Sequence, residues 1–235
     1  MSGRLGVLAF GDSITNGGGE LQWGVALQSW ALWVARGLGL PYSPHAVDGA
    51  TVEHVLLVQI PRYLATVADP DASYEVGCLY LGTNDVRAAG FALDEFAGGL
   101  REAAAFVAGR CERVVMPTIP LDMGRPRSVG RITAANAAIR SAAASVGGLV
   151  LNLDDLRGRE VMMADHVHPT AFGQITIAER ALDLLAADGM EVRIRPWTLV
   201  SYSRSWSGEM RGALTYGWRS AKERWRVARR GPGAG

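Results

Sequence analysis

Leu5-Gly6-Val7-Leu8-Ala9-Phe10-Gly11-Asp12-Ser13 opens the ordered reading of this chain. A short apolar run closed by turn-forming residues reads as a buried strand, so a strand is expected over residues 5–10 with Gly-Asp-Ser just past its end. Working outward, similar Val-, Leu- and Ile-rich runs predict strands at 43–47 (weakly), 76–81, 113–118 and 149–153. Between them lie segments of helical period at 25–37, 93–108, 132–146 and 170–187, and one at 52–66 that is interrupted near Pro61. The last helix has Pro169 ahead of its start and Gly189 beyond its end, as helix boundaries favour. Strands alternating with helices imply a parallel sheet covered on both faces.

The chain has 235 residues and a mass of 25.1 kDa, which suits one domain with a sizeable core. Its apolar fraction of 49% is that of an ordinary globular protein. The net charge of +1 hides an asymmetry, because residues 193–235 hold nine Arg and Lys222 against Glu209 and Glu223. That segment is therefore +8, and the first 192 residues are −7. Cys78 and Cys111 have no metal-ligand spacing and read as buried free thiols inside or beside strands. With the first strand starting at Leu5, no secretory leader is expected, and no apolar stretch is long enough to span a membrane. Cytoplasmic residence is the default expectation, with contact at a membrane periphery left open by the tail.

Four motifs fall at the ends of predicted strands. Ser13 follows the first strand, Gly49 the second and Asn84 the third, while Asp165 and His168 come after the fifth. In an open α/β sheet, ligand sites lie beyond the carboxyl ends of the strands. Asp165-His166-Val167-His168-Pro169 sets a carboxylate three residues before an imidazole, on a loop ahead of a helix. A hydroxyl, a base to take its proton and a carboxylate to orient the base are what acyl transfer through serine needs. Each motif also has a plainer reading. Gly-Asp-Ser is a common turn, Asp and His before a proline cap helices, and Asn84 in Gly82-Thr83-Asn84-Asp85 is a good turn former.

Taken in order, the motifs Gly11-Asp12-Ser13-Ile14-Thr15, Gly49, Gly82-Thr83-Asn84-Asp85 and Asp165-His166-Val167-His168-Pro169 resemble those of the SGNH hydrolases, also called GDSL esterases and lipases. The stretch from Gly49 to Leu56 looks like the second motif of the platelet-activating-factor acetylhydrolase branch. The resemblance runs from about residue 5 to residue 187. It implies a hydrolase domain over 1–190, a three-layer α/β/α sandwich on a five-stranded parallel sheet in flavodoxin-like order. It further implies Ser13 as nucleophile, His168 as general base and Asp165 as its orienting carboxylate. The oxyanion hole would comprise the backbone N–H groups of Ser13 and Gly49 with the Asn84 side-chain amide. The chain departs from the family pattern at Pro44 and His45, where Asn is frequent, and at His166, where Gly is frequent.

The expected activity is hydrolysis of a carboxylic acyl or acetyl ester through an acyl-serine, with no metal and no organic cofactor. A carbohydrate O-deacetylase, a lysophospholipase or a thioesterase fits the same residues, and a non-catalytic membrane-surface binding protein is the rival from another class. Substrate walls are expected from the loops at 17–23 and 120–131. His45 and His54 have no assigned task, and His166 is placed to line the pocket. Trp30 and Trp33 read as core, while Trp23 is a candidate flank of the acyl pocket.

Residues 191–235 read as a basic, Trp-rich extension. Trp206, Met210, Leu214, Trp218, Ala221, Trp225 and Ala228 recur at steps of three or four, with Arg211, Arg219, Lys222, Arg226 and Arg229 largely off that stripe. Gly208, Gly212 and Gly217 weaken a helix in its first half. The stripe is expected to dock on the acidic catalytic domain or a second subunit, or to lie on an anionic membrane. Nucleic acid is not an expected partner, and the substrate is expected to be a small-molecule or lipid ester.

Overall fold

The computed structural model describes residues 4–69, 71–123 and 129–229. Strand β1 (Val7–Gly11) leads into a single helical turn, α1 (Ser13–Asn16), and then to α2 (Trp30–Leu38) and β2 (Tyr42–Pro44). Helices α3 (Val52–His54) and α4 (Ile60–Thr66) precede β3 (Tyr74–Tyr80), α5 (Leu93–Ala108) and β4 (Cys111–Pro117). Helix α6 (Val129–Ser145), β5 (Leu149–Leu151) and α7 (Ala171–Ala187) complete the sandwich. A single 3₁₀ turn (Pro196–Leu199) then leads to α8 (Trp206–Arg229).

All five strands are parallel in the order β2-β1-β3-β4-β5, the flavodoxin-like arrangement. Because successive strand side chains point to opposite faces, β1 feeds two cores. Leu8 and Phe10 pack among α3–α6, and Val7 and Ala9 pack among α2 and α7. Both faces are covered, which is why β1 is apolar throughout and β3 is apolar over residues 76–80 rather than alternating. Trp30 and Trp33 are buried in the second core, and Cys78 and Cys111 are free and buried.

The structure differs from the sequence reading in places that bear on the site. Residues 25–29 are not helical. Helix α2 starts at Trp30 because Ser29 caps it, its hydroxyl accepting the Ala31 N–H and donating to the Thr15 carbonyl. The helical run 52–66 is not broken at Pro61 but widened just before it into a π turn (Val55–Gln59). Proline cannot donate to the preceding turn, and the wider π spacing absorbs the missing bond. Strand β2 ends at Pro44, and β5 is three residues long.

The largest correction concerns the tail. Its glycines do not break α8: Gly208 sits so close to the Trp23 ring that a β-carbon would lie 2.6 Å from it. The aromatic stripe does not dock on the domain either. Trp206 is 78% exposed, Leu214 70% and Trp218 65%. The helix instead turns Gly208, Tyr216, Arg219 and Ser220 toward the domain, with Arg219 bonded to Glu20 at 2.8 Å and Ser220 buried. Among the described residues, no helix is long and apolar enough to cross a membrane.

Strand β3 lies at the centre of the sheet, and a methyl on its Gly77 would run into Val107 and come within 2.9 Å of the Cys111 sulfur. Gly77→Ala should therefore lower stability by about 1–3 kcal/mol, read as a drop in the denaturant midpoint.

Candidate active site

The β1–α1 turn is built from local rules. Asp12 is the N-cap of α1, its carboxylate accepting the Ile14 N–H at 2.9 Å, and Gly17 closes the turn in the left-handed region. Ser13 is the first residue of that turn, at the carboxyl edge of the sheet. The loop after β2 is tied to the same edge: the Val47 N–H bonds the Gly11 carbonyl, and the Asn16 side chain donates to Asp48.

Helix α7 starts just after Asp165-His166-Val167-His168-Pro169, with Thr170 as its cap. Asp165 accepts the backbone N–H groups of Val167 and His168 with one oxygen, at 2.9 and 3.0 Å. Its other oxygen lies 2.8 Å from His168 Nδ1. The opposite ring nitrogen, Nε2, lies 2.9 Å from the Ser13 hydroxyl, across 155 residues of sequence. With Nδ1–H given to the carboxylate, Nε2 is left to accept the Ser13 proton. The loop is closed further by bonds from the Met163 N–H to the His168 carbonyl and from the His166 N–H to the Met163 carbonyl. His166 adopts φ 59°, unusual for a side-chain-bearing residue, and its Nδ1 lies 3.4 Å from Asp122.

Charge is arranged to keep this hydrogen bond polar. Burial acts to raise the Asp165 carboxyl, but the hydrogen bond from His168 and the two backbone N–H groups outweigh it, and the group stays below the ordinary aspartate value. His168 is raised above the ordinary histidine value, chiefly by its bond to Asp165, against the opposing effect of burial. Asp12 is buried and pushed up to about 7 by that burial, partly offset by the Ile14 N–H and the nearby His168.

The remaining candidates sit around the hydroxyl. Gly49 has φ 75° with open space where a β-carbon would be, so backbone conformation rather than crowding requires glycine. The Asn84 amide donates one N–H to the Ala50 carbonyl at 3.0 Å, which orients the group and leaves its second N–H available. Asp85 holds the same loop by accepting the Val52 N–H. Crowding does fix Gly18, where a β-carbon would lie 2.8 Å from the Ser13 carbonyl oxygen and 3.3 Å from the His168 ring.

Sequence reasoning missed two residues that hold the turn. The Gln59 amide, delivered by the π turn, pairs with the backbone of Gly11 on both sides, accepting its N–H and donating to its carbonyl. The Gln174 amide donates to the carbonyls of Ile14 and Gly18 and accepts the Trp30 N–H. Both side chains are buried. The signal available was a glutamine inside an otherwise apolar helical stripe, as at Gln174 between Phe172 and Ile175.

The other histidines lie off the reacting pair. His45 stacks on Phe10 at 5.3 Å and is lowered by burial, and His54 approaches the Gln59 amide. Trp23 packs against α8. Of the expected wall at 120–131, residues 124–128 lie outside the described residues. Among the described residues no group of three or more His, Cys, Asp or Glu side chains is placed to hold a metal ion.

With this geometry in hand, the likenesses to known proteins are informative. The profile of the GDSL-like Lipase/Acylhydrolase family matches residues 9–174. No curated protein sequence matches the chain. Among solved structures, Axe2, an acetylxylan esterase from Geobacillus stearothermophilus, superposes with a TM-score of 0.60 at 20% identity, over 82% of this chain and 100% of that one. LAE5, an alpha/beta hydrolase enzyme from the metagenome of Lake Arreo, Spain, gives a TM-score of 0.59 at 18% identity, over 79% and 97%.

Gln174→Ala removes three bonds from buried backbone groups, each worth about 1–3 kcal/mol when left unmet, and should cost at least about 3 kcal/mol of stability. Below its melting point the variant should also lose about 10- to 100-fold in kcat on a soluble ester, with KM little changed. A purely structural role for Gln174 leaves kcat of the folded variant intact, so steady-state kinetics on the folded protein separates the two.

Proposed function

The chain belongs to the GDSL-like lipase/acylhydrolase family, a carboxylic ester hydrolase on a flavodoxin-like sheet, and we propose that it cleaves its ester through an acyl-serine on Ser13. The observation that carries this reading is the unbroken hydrogen-bonded line from Ser13 Oγ through both His168 nitrogens to Asp165. A serine hydroxyl is a weak nucleophile at neutral pH, and a base within 2.9 Å removes its proton as attack proceeds.

The steps follow from those contacts. Ser13 Oγ attacks the ester carbonyl while its proton passes to His168 Nε2. Asp165 stabilises the imidazolium without taking its proton. Negative charge gathers on the former carbonyl oxygen, where the Ser13 and Gly49 N–H groups and the free Asn84 N–H are proposed to meet it. His168 then protonates the leaving alkoxide, and the alcohol departs. Water attacks the acyl-serine by the same route in reverse, with His168 again taking the proton, and releases the acid. Catalytic mutants of the structurally similar acetylxylan esterase likewise replace a serine, an aspartate or a histidine. At about a fifth identity that parallel supports the choice of groups, and the acyl or acetyl character of the substrate is read from a chain-length series.

A series of p-nitrophenyl esters from acetate upward should show hydrolysis by the wild type and a loss of at least about a thousandfold in Ser13→Ala. Comparable rates for both proteins would overturn the assignment. Asn84→Ala should slow turnover by about a hundred- to a thousandfold with its fold unchanged by circular dichroism.

The pH profile has a definite sign. His168 must be neutral to act as base, and its bond to Asp165 keeps it protonated to higher pH than a free imidazole. The acid limb of kcat/KM should therefore lie above the ordinary histidine value. Asp165→Asn should shift that limb downward and lower the plateau by on the order of 10⁴. A limb that stays in place would contradict the coupling.

A further inference from the structure

Helix α8 presents two faces with different fates. Gly208, Gly212, Tyr216, Arg219 and Ser220 turn toward the domain, close to Trp23, Glu20 and His166. On the opposite side Trp206, Met210, Leu214, Trp218 and Trp225 recur at steps of four and seven, with exposures from 48% at Met210 to 78% at Trp206. At 100° per residue these five positions span about a third of the helix circumference, centred opposite the docked face. All five side chains are exposed in the folded chain.

We propose that this face of α8 is a docking surface for an anionic phospholipid bilayer, on which the protein lies with α8 in the plane of the interface. Three observations select this occupant. The stripe is rich in Trp, whose ring buries apolar area while its N–H remains near water, with Leu and Met between. Helix α8 itself carries Arg211, Arg219, Lys222, Arg224, Arg226 and Arg229 against Glu209 and Glu223, a net +4, while the first 192 residues are −7, so the element that carries the stripe is basic on an otherwise acidic protein. Lys222 lies with its ammonium 5.1 Å from the Trp218 ring, placing a cation at the edge of the stripe where phosphate headgroups would meet it. Leu21, 67% exposed, lines the cleft between the domain and the docked face of α8, beside the Glu20 that anchors the helix. A nucleic-acid surface suits the charge but not an apolar centre of Trp, Leu and Met.

The surface adjoins the candidate active site. Tyr216 on the docked side stands 6.4 Å, ring to ring, from His166, which is the neighbour of Asp165. A bilayer bound along α8 therefore lies within one helix diameter of the loop that carries His168. The surface itself does not depend on the proposed chemistry.

The experiment is flotation of the full chain with phosphatidylcholine vesicles, either alone or with about a third phosphatidylglycerol. The wild type should float with the anionic vesicles, weakly with the neutral ones, and less as salt is raised. Leu214→Ser combined with Trp218→Ser and Trp225→Ser should cut binding at least about tenfold while leaving the thermal midpoint and p-nitrophenyl acetate hydrolysis unchanged. Failure of the wild type to float with anionic vesicles overturns the proposal, as does equal binding by the triple variant. Sizing of both proteins without lipid adds a further outcome. A wild-type dimer that the variant converts to monomer, with no vesicle binding, assigns the stripe to a second copy and overturns the lipid reading. Salt-sensitive binding by a protein with no esterase activity would leave the docking surface standing and remove the acyl-serine proposal instead.

Discussion

Two buried amides determine where the Ser13 hydroxyl sits. Gln59 grips Gly11 just before the turn, and Gln174 grips the Ile14 and Gly18 carbonyls just after it. Buried backbone groups at the exit of a strand must find partners, because an unmet one costs about 1–3 kcal/mol. Here both sets are met by side chains from distant helices. Gln174 is one turn into α7, whose first residue follows the motif carrying His168. A single helix thus fixes the turn that holds the hydroxyl and anchors the loop that holds the imidazole. The 2.9 Å contact between Ser13 and His168 follows from rigid elements rather than from two mobile loops happening to meet.

The same packing gives the site its electrostatics. Asp12, the cap of α1, is fully enclosed, and one of its oxygens has no hydrogen-bond partner among the described residues. Burial, only partly offset by the Ile14 N–H and His168, is why its carboxyl is pushed up to about 7. Asp165 has the opposite environment, with two backbone N–H groups and an imidazole, and stays ionised. The two carboxylates near His168 therefore differ in proton affinity: Asp165, bonded to the ring, holds its charge, and burial makes Asp12 the more readily protonated.

How much of this was legible in the sequence follows from the range of the interactions involved. Helix α5 was read to its end residues because Asp94 and Glu95 sit in its first turn and its stripe is continuous. Strand β1 and the 76–80 part of β3 were legible because burial on both faces leaves no charged residue to interrupt them, whereas Glu75 hid the start of β3. The placement of Ser13 and Asn84 was legible for the same reason, since each lies just past the end of such a strand. Gln59 and Gln174 were not, because a glutamine in a helix reads as solvent-facing until its distant partners are known. The start of α2 was misplaced by five residues, although Ser29 ahead of Trp30 and Ala31 is a readable cap. For α8 the stripe was identified correctly, and its direction was not. Periodicity reports which residues share a face and carries no information about which face meets the domain.

Why α8 docks by its less apolar side can be argued from the contacts. Close approach to the Trp23 ring requires a residue without a side chain, and Gly208 is the position that supplies it. Arg219 reaches Glu20, which itself bridges to Thr170, the cap of α7, and whose carbonyl accepts the Ala171 N–H. Arg204 reaches Glu160, whose carbonyl accepts the Thr170 hydroxyl. Both anchors of the extension therefore end on the backbone that caps α7, the helix whose Gln174 holds the Ser13 turn. Turning the Trp stripe inward would bury more apolar area but would aim Arg219 at solvent and lift Gly208 off Trp23. The helix keeps its polar anchors and leaves the stripe outside, because each anchor meets a partner fixed at the start of α7.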